Sequence, residues 1–310
     1  MSFPAQRSGV ALPRVRRAPK WLREVALIAV IYVGYELSRG VTKSTFAIAK
    51  GNGWDILNWE RAWHLDPEQL LTHGLISVTP LAVVAAYFYS TMHYVITPVV
   101  LIWMYRRHQA EYRPARTALA ISTVIGLLGF YALPTAPPRL LRQAGIPDTL
   151  FHVRHWGWWG GEGSVPRGLG SLTNQFAAMP SMHVGWALWC GVLLWRYAAH
   201  RWARWAGVAY PVFTTVIVLA TGNHYLLDAV AGALVVAMGA LITVAFTRTA
   251  GLIRSRGQGT DEIATDVAPA DTEPYGPAAA SHSLFGAVSG NADLCDLTEA
   301  EFTRRSDVCG

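Results

Sequence analysis

Residues 75–105 read LISVTPLAVVAAYFYSTMHYVITPVVLIWMY and contain no Lys, Arg, Asp or Glu. As a helix this stretch would reach about 46 Å at 1.5 Å per residue, more than the roughly 30 Å of a hydrocarbon core. Thr91-Met92-His93 and Pro98 leave two readings open, one kinked helix or two shorter pieces. Further apolar stretches at 22–38, 117–133, 184–199, 206–221 and 226–247 approach the roughly 20 residues that a crossing needs. The composition agrees. Apolar residues make up 52% of the chain and charged residues 15%, against about 25% charged in a soluble domain. Three cysteines exclude a disulfide framework, and a collagen or a coiled coil is excluded as well. Cys190 falls in an apolar run, whereas Cys295 and Cys309 fall in a polar tail. The expected class is all-α, a polytopic membrane bundle.

Charge sets the expected sidedness. Lys and Arg concentrate in cytoplasmic loops, and here they cluster at Arg14 to Arg23, Arg106 to Arg116, Arg196 to Arg204 and Arg248 to Arg256. Placing all four clusters inside requires 75–105 to cross once, giving six transmembrane helices with both termini inside. Segments 39–74, 134–183 and 222–225 then lie outside. The first carries Trp54, Trp59 and Trp63 at a spacing that suits an interfacial helix or a plain connecting loop. No signal-peptide cleavage site sits at a workable distance from the apolar core at 25–33, so the first span is expected to be retained. The chain divides into a basic N-terminus (1–21), a membrane body (22–250) and a tail (251–310). Residues 1–256 carry about +14 and 257–310 about −8; the tail has no apolar periodicity and reads as disordered. Arg outnumbers Lys 23 to 3, which points to a bacterial plasma membrane as the location.

Polar groups at the mouth of a span are costly and usually functional. Three such patches fall on the outer side. Tyr131-Ala132-Leu133-Pro134-Thr135-Ala136-Pro137-Pro138-Arg139 follows the third span. Ala178-Met179-Pro180-Ser181-Met182-His183 opens the fourth, and Thr221-Gly222-Asn223-His224-Tyr225-Leu226-Leu227-Asp228 opens the sixth. His224 and Asp228 are one helical turn apart. A carboxylate there can hold one imidazole nitrogen and leave the other free to attack; equally, the pair can be a polar clamp between helices. Pro180 and Ser181 suit a first helical turn, whose N–H groups bind anionic oxygens beside His183. Arg139 brings a fork that matches phosphate or simply snorkels to headgroups. Together, two histidines, a carboxylate, a helix start and an arginine on one membrane face match phosphoryl transfer through a histidine.

The three patches resemble the signature of the type 2 phosphatidic acid phosphatase superfamily, which includes the vanadium haloperoxidases, over roughly residues 20–250. Pro180-Ser181-Met182-His183 is similar to its middle motif, usually Pro-Ser-Gly-His, and His224-x-x-x-Asp228 to the end of its third. The resemblance implies His224 as a nucleophile forming a phosphohistidine, Asp228 as its relay and His183 as the acid on the leaving oxygen. It also implies Arg139 and Ser181 as phosphate holders, with no metal and no cofactor. Ala132 stands where the family pattern has Lys, and Val218 where it has Arg; Arg167 and Arg142 are the nearest candidates to share the phosphate. Pro-Thr-Ala-Pro-Pro-Arg139 and Thr221 to Tyr225 look more like the inositol phosphorylceramide synthase branch, the targets of aureobasidin, described as moving a phosphoinositol headgroup between lipids.

A phosphohistidine can be resolved by water or by an alcohol, and the motifs do not choose between them. The expected function is therefore metal-independent lipid phosphatase or phosphotransferase chemistry, moving phosphate or an inositol-phosphate-type headgroup. The expected partners are a phospholipid or polyprenyl phosphate substrate and membrane lipids. A non-catalytic lipid carrier is the alternative from another class. The loop His152 to Gly161, with Trp156, Trp158 and Trp159, reads as an interfacial aromatic anchor or as a mobile cover. No nucleic acid partner is expected, since sidedness explains the arginines.

Overall fold

A computed structural model of the chain describes residues 46–159 and 175–265 (side chains to 250), together with eight residues between 21 and 33. The chain divides into two units, 1–259 and 260–310, and the architecture below is that of the first. The helices are α1 (Phe46–Ala62), α2 (Glu68–Ile76), α3 (Thr79–Arg107), α4 (Gln109–Ala132), α5 (Thr149–His152), α6 (Met182–Tyr197), α7 (Arg201–Ala220) and α8 (Leu226–Thr265). Among the described residues there is no strand, only an isolated bridge between Thr135 and Ala177. The protein is an all-α membrane bundle.

Among the described residues, four helices are long and apolar enough to cross a membrane: α3, α4, α7 and the Leu226–Ala250 part of α8. They account for four of the six expected spans. Of residues 75–105, all from Thr79 onward belong to the single helix α3, with Pro98 inside it and Arg106 and Arg107 in its last turn, while Leu75 and Ile76 end α2. Proline removes one backbone donor, a loss that membrane helices tolerate. The first expected span, 22–38, lies largely outside the described residues, as do the basic N-terminus and the acidic tail. The fourth is α6, whose 16 residues reach only about 24 Å. Its length is set by a capped start at Ser181 and an extended stop at Ala198. Its many buried residues, among them Val184, Trp186, Trp189 and Leu193, make it the core helix against which α3, α4 and α7 pack, while Val192 and Trp195 on its outer face stay exposed.

The outward faces are apolar, with Val212, Leu234 and Leu241 from 60% to 71% exposed. Water would not tolerate a continuous surface of this kind, but lipid is the solvent here. One close approach fixes the site's geometry. A Cβ on Gly232 would collide with the carbonyl oxygen of Ser181, so only glycine lets α8 lie against the start of α6.

The aromatic loop is divided between the protein core and the surface. Trp159 is fully buried in a cluster with Leu75, Ala82, Ala85, Leu150 and Ile217. Its indole N–H donates to the Leu150 carbonyl at 2.9 Å, and the Tyr87 hydroxyl donates to the Trp156 carbonyl at 2.6 Å. Trp159 thus packs this stretch on α3, whereas Trp156 is 64% exposed, as an interfacial anchor would be; Gly160 and Gly161 lie outside the described residues.

Candidate active site

The turn between α7 and α8 is the centre of the arrangement. α7 ends at Ala220, and Gly222 turns the chain with φ +70°, a conformation suited to glycine. A Cβ there would also meet the Pro147 carbonyl at 2.9 Å. Two residues later His224 sits just ahead of α8, 4% exposed. Its Nδ1 lies 2.9 Å from the Ala178 carbonyl oxygen and 3.3 Å from Asp228 Oδ2. A carbonyl only accepts, so Nδ1 must carry the hydrogen and Nε2 keeps its lone pair. Asp228 is wholly buried, and its Oδ2 also accepts the Tyr225 N–H at 3.0 Å.

The three sequence patches are tied to one another in pairs. The Arg139 N–H donates to the Gly222 carbonyl at 2.9 Å, and the Tyr225 hydroxyl to the Ala136 carbonyl at 2.8 Å; these join the first patch to the third. His224 on Ala178, and Ser181 N–H on the Asp228 carbonyl at 2.9 Å, join the third to the second. Thr135 N–H donates to Phe176 and Ala178 N–H to Thr135, at 2.7 and 3.3 Å, closing the triangle. The imidazoles of His183 and His224 meet edge to face with centroids 5.5 Å apart.

Arg139 is buried at 8% exposure. Its Nε donates to Asn223 Oδ1 at 2.9 Å and its Nη1 to Asp148 Oδ2 at 3.0 Å. Asp148 in turn caps α5 by accepting from the Phe151 N–H. Neither partner was foreseen from sequence, although Asn223 is the neighbour of His224. Ser181 is the N-cap of α6, and its hydroxyl accepts from the Val184 N–H at 3.5 Å, so it serves its own helix. Arg142 is exposed, and Arg167 lies outside the described residues. Ala132 is exposed, whereas Val218 is buried beside Val184, Leu219 and Ala229.

Two carboxylates missed by sequence reasoning hold the start of α8. Glu60 Oε1, from α1, accepts the Leu227 N–H at 2.6 Å; Glu68 Oε1, from α2, accepts the Leu226 N–H at 2.8 Å. The first N–H groups of a helix lack intrahelical partners, and here distant acids supply them. The visible signal was an acid facing inward on each of two short helices. Burial, then the charge of Glu68, pushes Glu60 up to about 8, and burial pushes Glu68 up to about 7.

A carboxyl raised in the fold above its unfolded value stabilises the protein fully below about pH 4.5, and that contribution is lost as pH rises towards 8. We expect the melting temperature of detergent-purified protein to fall between about pH 5 and 8, with a flatter profile in Glu60→Gln. A wild-type melting temperature that rose across this window would contradict the assignment.

A family model described as the PAP2 superfamily matches residues 54–242. No curated protein and no solved structure matches the chain.

Proposed function

The chain belongs to the PAP2 superfamily, and from that premise we propose that it transfers a phosphoryl-type group from a membrane lipid through a phosphohistidine at His224. Membership itself supports a membrane enzyme of the lipid phosphatase type acting on lipid phosphates. The finer reading rests on one observation. His224 has its Nδ1 hydrogen committed to Ala178 and Asp228, which leaves the Nε2 lone pair for phosphorus.

In the proposed reaction Nε2 bonds to phosphorus as the bond to the leaving oxygen breaks. His183, 5.5 Å away ring to ring, gives its proton to that oxygen. Arg139 has two bonds to protein partners and keeps further N–H groups for the equatorial oxygens. Positive charge that grows on His224 is balanced by Asp228. In the second step His183 takes a proton from water or from an alcohol acceptor, whose oxygen displaces the histidine. No step requires a metal or a cofactor.

The donor class follows from charge. The family pattern's Lys and second Arg are Ala132 and the buried Val218 here. Among the described residues the site has one buried arginine, Arg139, a charge that suits a phosphodiester, with a single negative charge, better than a dianionic monoester. This supports transfer of an inositol-phosphate-type headgroup, in line with the likeness of Pro134 to Arg139 and Thr221 to Tyr225 to the inositol phosphorylceramide synthases. The basic loops and the Arg-rich composition support a bacterial plasma membrane with the site on the outer face.

Purified protein incubated in EDTA with phosphatidic acid, a polyprenyl diphosphate or phosphatidylinositol, with and without diacylglycerol or ceramide, tests this reading. We expect acceptor-dependent formation of a new phospholipid from phosphatidylinositol. Free phosphate from the first two donors alone would make the protein a phosphatase. Turnover of none would leave a lipid carrier as the better reading.

A further inference from the structure

His93 costs α3 a polar group in the middle of a membrane helix that carries no charge before its last turn, yet it is buried at 9% exposure. An apolar wall alone would be better served by leucine or phenylalanine. Tyr89 lies one turn earlier on the same helix face. Both rings meet His183: Tyr89 stacks on it with centroids 4.6 Å apart and planes 23° apart, and His93 meets it edge-on at 4.4 Å and 74°. On its far side His93 touches the Tyr94 ring at 3.8 Å and approaches Trp186 at 6.2 Å. The Trp186 indole N–H donates to Thr123 Oγ1 at 3.2 Å, so α4 braces the group. His93, Tyr94 and Trp186 also line an apolar cavity of about 620 Å³, which keeps this side of the imidazole in a medium of low polarity.

We propose that Tyr89 and His93 form an aromatic clamp that holds His183 in its proton-donating orientation, and that they are positioning residues for expulsion of the leaving oxygen. The proposal rests on the reading of His183 as the acid. The ring face of Tyr89 lies within cation–π reach of a protonated imidazole, so the stack favours the form that has a proton to give. His93 fixes the ring from the edge, preventing rotation about the His183 side chain. A diffuse structural role would slow every substrate alike. A role in proton delivery lowers kcat/KM, which reports the steps up to departure of the leaving oxygen, only for substrates whose leaving oxygen needs a proton; the second step, in which His183 takes a proton, is common to all.

The test compares dodecyl and 4-nitrophenyl esters, made with phosphate and with inositol phosphate. An alkoxide must be protonated as it leaves, whereas 4-nitrophenolate leaves without a proton. The variants are His93→Phe, His93→Asn, Tyr89→Leu and Tyr89→Phe, with His183→Ala and His224→Ala as controls and melting temperatures as a check on folding. Acid catalysis contributes about 10²–10⁴-fold, and a positioning residue should carry part of it. We expect His93→Phe, His93→Asn and Tyr89→Leu to lower kcat/KM on the dodecyl ester by about 10–100-fold. On the nitrophenyl ester kcat/KM should fall less than about threefold, and Tyr89→Phe should keep wild-type values on both.

Equal losses on both esters in folded protein, or losses on neither, would overturn the clamp while His183→Ala still separated the esters. If His183→Ala also failed to separate them, or His224→Ala retained turnover, the underlying mechanism would be wrong and the clamp would fall with it. His224→Ala inactive on both esters, with separation in His183→Ala and in the clamp variants, would support both.

Discussion

Replacing His224 with alanine is expected to lower lipid turnover by at least about 10³-fold, as removal of a nucleophile acting within a unit does. The loss should fall on kcat. Substrate still meets Arg139, whose bonds to Asn223 and Asp148 do not involve the imidazole. The variant leaves the Ala178 carbonyl and one carboxylate oxygen of Asp228 without the Nδ1 hydrogen, at a stability cost of about 1–3 kcal/mol. A melting curve therefore accompanies the rate. Wild type quenched during turnover with radiolabelled donor should carry acid-labile label on the peptide containing His224, and the variant none. Activity in the alanine variant above a tenth of wild type would rule out His224 as the nucleophile.

Asp228→Asn is the second large effect, and its size carries information. Where a carboxylate alone fixes the imidazole tautomer, the amide change costs about 10⁴-fold. Here the Ala178 carbonyl, at 2.9 Å, is closer to Nδ1 than Asp228 is, at 3.3 Å. The tautomer should survive, and what disappears is the negative charge that balances the imidazolium. The new amide nitrogen would occupy the place of Oδ1, which is buried and has no hydrogen-bond partner among the described residues, so it gains no acceptor from them. We expect kcat to fall about 10²–10³-fold with KM unchanged. A fall near 10⁴ would mean that Asp228 alone sets the tautomer; no fall would mean that Asp228 is only a structural clamp.

Legibility from sequence tracked the range of the interaction. The His224–Asp228 pair was visible because one helical turn fixes that spacing, and the crossing at 75–105 because an uncharged run of that length has one stable solvent. Sidedness arithmetic further favoured a single crossing there, and α3 is one helix. Ser181 was visible as a helix start, but its hydroxyl turns to its own Val184 N–H. The tryptophans at 156–159 suggested a membrane interface. Trp159 instead fills the protein core, because the α2–α3–α7 junction leaves room for one indole.

Local periodicity and charge thus determined the bundle, its membrane solvent, the three polar patches and the relay pair. Those properties depend on composition, or on residues within one or two helical turns. Packing alone decided the partners of each patch: Asn223 and Asp148 for Arg139, Ala178 for His224, Glu60 and Glu68 for the start of α8, Tyr89 and His93 for His183. A helical repeat states which face of a helix is polar. It does not state which helix that face will meet, because rotation and depth are set by close approaches such as Gly232 on Ser181 and by buried side chains that interlock only in the folded bundle.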